Sequence, residues 1–405
     1  MKKLLCIFDN KIFVKLIKVI FMGINTIIGQ VATGKHFFER KDVTTEIWGK
    51  LENGANLLLI APRRVGKSSI LMNLFEKPEE GYKVIYISTE SINSENDFYK
   101  KIFVHLVEEL SKSNKYKAIF KDTLSKIEKI GKDGITIGES NLNYYEELEN
   151  FIENHLFKEE KILVLIDEFS QTIENIKKDI GNKEAIYLLQ TKRQLRNNPK
   201  LLNKMQFIYC GSIGLDNVAS VLDSSKFIND LTPIKINALS KEESYKLIEK
   251  ILKGSGIEIS NDTIDYLLQK IEWNIPFYIQ LLLEESYKIL SNNSIEITNE
   301  IIDKSFDKTI ELRLYFEHWH SRLRIAFEGK EFTFVKELLN IISTNNGLTN
   351  NEIYDLAVKN NIIENYKFLL NILVNDGYIN NQEVPNTYHF NSPLLKNWWR
   401  KNVAE

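Results

Sequence analysis

The chain has 405 residues, 43% of them hydrophobic and 27% charged, with a net charge of −2. That length provides for two or three domains with cores of their own. The near-neutral balance excludes a global basic field that would hold nucleic acid or an acidic membrane nonspecifically. Two cysteines, Cys6 and Cys210, lie far apart without metal-ligand spacing; they exclude a disulfide scaffold and fit a reducing, cytoplasmic setting.

Residues 1–26 read as a dispensable N-terminal extension, with Met22 a competing start. Lys11, Lys15 and Lys18 would line one face of a basic amphipathic helix. Together with Asp9 they also break every apolar run, so no spanning helix or signal-peptide core is expected. From residue 27 five apolar, β-branched runs recur with helical patterns between them. They are LLLIA (57–61), KVIYIST (83–89), KILVLID (161–167), KMQFIYCGS (204–212) and TPIKINAL (232–239). Short apolar strands alternating with helices predict a parallel sheet covered on both faces, here a five-stranded α/β core over 27–239.

The first run passes into Ala61-Pro62-Arg63-Arg64-Val65-Gly66-Lys67-Ser68-Ser69, which matches the phosphate-loop pattern G-x-x-x-x-G-K-[ST] with Ala61 in place of the first glycine. An amphipathic helix, Ser68–Phe75, follows. Its N-terminal N–H groups and dipole favour phosphate, Lys67 would reach the β- and γ-phosphates, and Ser68 would ligate Mg²⁺. Ala61 costs little if its φ is negative and strains the loop if φ is positive.

The strand KILVLIDEFS ends in Asp167-Glu168. Asp167 can hold Mg²⁺ opposite Ser68, and Glu168 can activate a water for attack on the γ-phosphate, which implies hydrolysis. Ser212, after the next strand, is the candidate to touch that water or the phosphate. The N-K-x-D motif that reads guanine is missing, so ATP is the expected nucleotide.

Beyond residue 239 the pattern is helical. Ser240 and Glu243 form a capping box, and Ile264–Glu272, Pro276–Leu290 and Ile297–Lys308 extend a helical lid over 240–310. A connecting helix spans 311–330. Residues 331–402 then read helix, helix, helix, hairpin, a winged-helix pattern with a second capping box at Thr349 and Glu352. Arg193 and Arg196 are candidates for an arginine finger, with a solvated helix face the competing reading. Arg63 and Arg64 are candidates for contact with nucleotide or partner. His318 and His320, two apart on a helix, point to different faces and cannot share a metal from it. His389 is a packed or surface histidine by default.

With these motifs in order, the stretch IIGQVATGKHFFERKDVTTEIWGKLENGANLLLIAPRRVGKSS resembles the opening of AAA+-related ATPases of the archaeal-ATPase and STAND type. FIYCGSIGL, INALSKEES, NIPFYIQ and FNSPLLKNWWR follow in the same order, so the resemblance covers residues 27–402. It implies a five-stranded sheet with the serine-bearing strand between the two motif strands, then a lid and a C-terminal winged helix. It also implies that Phe38 and Arg40 lie near the adenine and that Pro276 is the lid proline beside the nucleotide. Asn274 stands where the family usually has glycine.

Three functions compete. The first is a slow, regulatory ATPase whose ATP or ADP state controls self-assembly or binding of a protein partner. The second is a DNA-acting ATPase of the initiator or transposition-helper type. The third, a small-molecule kinase, is opposed by Glu168 and the lid. Residues 331–402 hold six Lys and Arg against seven Asp and Glu, net −1. That is too little positive charge to neutralise phosphates, which favours the switch over DNA.

Overall fold

The computed structural model describes residues 23–114, 116, 143–156, 160–202, 204–212, 214–290, 295–345, 347–381 and 385–404. Residues 1–22, which carry most of the expected extension, lie outside that set. The chain divides into two compact units. One comprises Thr33–Pro62 and Gly66–Ile236; the other comprises the described residues up to Ala32, Arg63–Val65, and the chain from Asn237 onward.

The first unit is built on five parallel strands: β1 (Asn56–Ile60), β2 (Tyr82–Ser88), β3 (Lys161–Asp167), β4 (Met205–Tyr209) and β5 (Leu231–Lys235), in the order β2-β3-β4-β1-β5. The expected apolar runs form these strands because the central ones are buried on both faces. Ile162 to Ile166 and Phe207 to Tyr209 are all fully inaccessible. Pro233, which cannot donate to a ladder on one side, lies in edge strand β5 opposite Leu58. That strand is shorter than its apolar run: the Ile236 N–H still bonds to the Ile60 carbonyl at 2.9 Å, and pairing then ends.

Helices α1 (Lys41–Glu52), α2 (Lys67–Glu76), α3 (Glu95–Ser111), α4 (Tyr144–His155), α5 (Phe169–Asp179), α6 (Asn182–Arg196) and α7 (Leu215–Val221) belong to this unit. Helix α6 shows how the polar residues sort. Lys192 and Arg196, four apart, are inaccessible and 4% exposed, whereas Arg193 lies between them in sequence on an outer face. The Lys192 Nζ is 3.9 Å from the centroid of Phe207, with Phe98, Tyr99 and Tyr209 also around it. Burial holds its pKa well below the usual lysine value, and Arg196 adds to the effect.

The second unit contains α8 (Lys241–Leu252), α9 (Asn261–Ile271), α10 (Pro276–Ile289), α11 (Asn299–Glu311) and α12 (Arg313–Ala326). Ser240 caps α8 through the expected box with Glu243. A short parallel pair, β6 (Glu258–Ile259) with β7 (Glu296–Ile297), was not expected from the sequence; two-residue strands are below the length at which alternation can be read. The chain at Asn25–Ile27 is bonded into this unit. Asn25 N–H donates to the Ile251 carbonyl at 2.9 Å, Thr26 Oγ1 to Glu284 at 2.6 Å, and Ile27 N–H to Gln280 at 2.8 Å.

Helices α13 (Gly329–Thr344), α14 (Asn350–Lys359), α15 (Tyr366–Asp376) and α16 (Pro393–Trp399) complete the chain. They surround a three-stranded antiparallel sheet ordered β8-β10-β9, from Leu348–Thr349, Thr387–Phe390 and Ile379–Asn380. Thr349 and Glu352 form the second capping box. Trp398 and Trp399 are core residues, both inaccessible, and Trp399 Nε1 donates to Asn340 at 2.9 Å. Arg322 of α12 pairs with Asp376 at the end of α15 at 3.2 Å, each side chain 9% exposed.

His318 of α12 has both ring nitrogens buried without a hydrogen-bond partner. Burial, followed by the positive charges of Arg64 and Arg63, lowers its pKa to about 3. The folded form therefore binds fewer protons than the unfolded one below pH 6.5. Its contribution is fully present above that value and is lost as pH falls toward about 3, at up to about 1.4 kcal/mol per pH unit. The urea midpoint should accordingly drop less between pH 7 and pH 4.5 in His318→Leu than in the native chain. Parallel declines would contradict this assignment.

Candidate active site

The site is assembled at the carboxyl ends of three adjacent strands, β1, β4 and β3. After β1 the loop from Ala61 to Gly66 enters α2. Gly66 is its N-cap with φ 101°, a conformation that needs glycine, and Arg64 also adopts positive φ, 66°. Ala61 is not among the residues with positive φ. The methyl group at the first glycine position therefore carries no backbone strain. The Lys67 ammonium donates to the Ala61 carbonyl at 2.9 Å and the Pro62 carbonyl at 3.0 Å, so it spans the loop. Ser68 and Ser69 follow in the first turn of α2, where backbone N–H groups lack helical acceptors.

Asp167 is the last residue of β3 and only 5% exposed. Its carbonyl accepts from the Thr89 N–H at 2.9 Å and the Thr89 hydroxyl at 3.0 Å. Its carboxylate accepts from the Tyr86 hydroxyl at 3.0 Å on Oδ2 and from the Glu168 N–H at 3.1 Å on Oδ1. Glu168, the N-cap of α5, takes a left-handed conformation, φ 59° and ψ 33°. For a non-glycine residue this is a strained state, of the kind that gathers at functional sites. The Phe169 N–H holds the turn to the Cys210 carbonyl at 3.1 Å.

The turn aims Glu168 at Ser212. Its Oε2 accepts both the Ser212 N–H at 2.9 Å and the Ser212 hydroxyl at 2.8 Å. The buried Cys210 lies under this group. Burial pushes its thiol well up, Asp167 and Glu168 add to that, and Lys67 opposes them.

The other expected residues are placed as follows. Phe38 is partly exposed and Arg40 is 8% exposed at the N-cap of α1, in the unit that holds Ala61, Pro62 and Gly66 to Ser69. Arg63, Arg64 and Val65 group with the second unit, where the Arg64 guanidinium lies 4.5 Å from the Phe277 ring centroid. Pro276 is at the first turn of α10 in that unit, a position suited to its fixed φ. The Asn274 carbonyl accepts from the Leu239 N–H at 2.8 Å. Arg193 donates to the Lys226 carbonyl on the surface.

Arg196 is internally engaged. Its Nε and Nη2 bond to Asp230 at 2.7 and 2.8 Å, Nη1 to Tyr209 at 3.2 Å and Nη2 to the Phe227 carbonyl at 2.7 Å. Removing one partner of a buried pair strands the other charge. Arg196→Ala is expected to cost about 3 kcal/mol of stability, read as a lower urea midpoint. Unchanged stability with lost hydrolysis would instead make Arg196 a catalytic arginine. Tyr86 was not anticipated; its signal was a phenol beside the aliphatic residues of β2, where a partly buried hydroxyl needs a partner.

A phosphate loop after β1, an acidic pair after β3 and strand β4 between the two define the fold as a P-loop NTPase of AAA+-like type. Solved structures share it. The chain is similar to a Walker-type ATPase of Pyrococcus abyssi, with 19% identity over 91% of this chain and 97% of that one and a TM-score of 0.60. It is also similar to the ORC2 protein of Aeropyrum pernix, solved in ADPNP–ADP complexes, with 11% identity over 88% and 91% of the two chains and a TM-score of 0.50. At these identities the likeness is one of fold. No protein-family model matches the chain, and no curated protein matches it in sequence. Among the described residues, no helix is long and apolar enough to cross a membrane.

Proposed function

We propose that the chain is a magnesium-dependent ATPase whose nucleotide state controls assembly or the binding of a protein partner. The observation that carries the reading is the Ser212 clamp on Glu168, beside Asp167 and the Lys67 loop. A glutamate fixed by two donors to one oxygen keeps its other oxygen available to accept a proton from water. In that reading the water oxygen bonds to the γ-phosphorus, the bond to the β–γ bridging oxygen breaks, and the water proton passes to Glu168. Ser212 acts through Glu168, as its positioning partner. Lys67 offsets charge on the phosphates, and the first N–H groups of α2 add donors.

Ser68, in the first turn of α2 after β1, and Asp167, at the end of β3, are hard oxygen donors, a set suited to Mg²⁺. The cation, when bound, supplies neutralisation of phosphate charge. Phe38, Arg40 and Pro276 are assigned to the nucleotide by the family resemblance. The fold neighbours support ATP as the nucleotide, one being a Walker-type ATPase and the other having been solved with ADPNP and ADP. The switch is favoured over a DNA motor by the charge of residues 331–402, whose helices and sheet we read as a winged helix for packing or protein binding. Size measurement of Glu168→Gln with and without ATP, then with duplex DNA, tests this. ATP-dependent assembly without DNA retention is expected, and DNA retention without any change of size would replace the switch reading.

A further inference from the structure

We propose that Tyr86 is a positioning residue for the divalent cation of this site, fixing the plane and direction of the Asp167 carboxylate. The inference rests on the magnesium–nucleotide reading above and adds to it the residue that prepares the metal ligand. Tyr86 lies in β2, the strand beside β3, and two further residues along the register Ser88 stands opposite Asp167. From there its hydroxyl donates to Oδ2, while the Glu168 N–H donates to Oδ1. Each carboxylate oxygen thus has a protein donor, and the two donors come from separate segments. A carboxylate held at both oxygens cannot rotate freely about its terminal torsion, yet each oxygen keeps a lone pair for a cation.

The ring of Tyr86 makes the second contact. Its centroid is 6.5 Å from that of Phe75 in α2, at an interplanar angle of 50°. Helix α2 is the element that carries Ser68. One side chain therefore touches the helix bearing the hydroxyl donor and the carboxylate of the other donor. Losing such a supporting bond to a metal ligand typically costs about 10–100-fold in metal affinity.

Tyr86→Phe removes the hydroxyl and keeps the ring against Phe75. The test is titration of Mn²⁺, followed by loss of its free electron paramagnetic signal, with ADP present in wild type and variant. Metal-free ADP affinity is measured in parallel in chelator, together with the melting temperature. The variant is expected to bind Mn²⁺ about ten-fold or more weakly, with metal-free ADP affinity and melting unchanged. Equal Mn²⁺ affinity in the two chains overturns the role of Tyr86 alone, as does an equal fall in metal-free ADP affinity. A wild-type chain that binds no Mn²⁺ with ADP overturns the magnesium–nucleotide reading itself, and this inference with it.

Discussion

Glu168→Gln should keep ATP bound while slowing its hydrolysis by about 10²–10⁴-fold, the usual contribution of a positioned general base. The substitution is nearly isosteric. The glutamine carbonyl can still accept the two bonds that Ser212 gives to Oε2 of Glu168, so the geometry survives and basicity alone is lost. The left-handed backbone at this residue, φ 59°, is already fixed by the Phe169 bond to Cys210 and asks nothing new of glutamine. Rapid-quench hydrolysis and retained-nucleotide assays read the two effects separately. Undiminished turnover would remove Glu168 as the base.

Lys67→Ala should lower ATP affinity by about 100-fold or more, since hydrogen bonds to charged groups are worth about 1.5–3 kcal/mol each and this ammonium can give several. Its position is set by the loop. Two residues in left-handed conformations, Arg64 and Gly66, turn the chain so that the Ala61 and Pro62 carbonyls hold Nζ across the loop. Those carbonyls are partly exposed and water can replace the lysine there, so the variant should melt near the wild-type temperature. Calorimetric titration with MgATP checks the affinity. Unchanged binding would mean that the nucleotide lies elsewhere.

Much of this arrangement was legible in the sequence, because strands buried on both faces are long apolar runs and the two nucleotide motifs sit at their ends. Strand β3 coincides with its predicted limits, and the capping boxes at Ser240 and Thr349 mark helix starts as expected. The substitution at Ala61 could be judged only from backbone angles, which turned out to put the positive φ three residues later, at Arg64. Contacts across the sheet were not legible. Tyr86 reaches Asp167 from a strand 81 residues away in sequence, and Ser212 reaches Glu168 from 44 away. Helix α6 was harder still. Its charged run QTKRQLR suggests a solvated face, yet aromatic rings and Asp230 take in Lys192 and Arg196. Such burial depends on partners that no local pattern announces.

The most direct measurement is release of phosphate from ATP by the full chain, with magnesium and with chelator, beside the Lys67→Ala variant. Slow release that requires magnesium and disappears in the variant is the predicted result. Release that is no greater than in the variant, or that is unaffected by chelator, would contradict the assignment of Lys67, Ser68, Asp167 and Glu168 to one ATP-hydrolysing site.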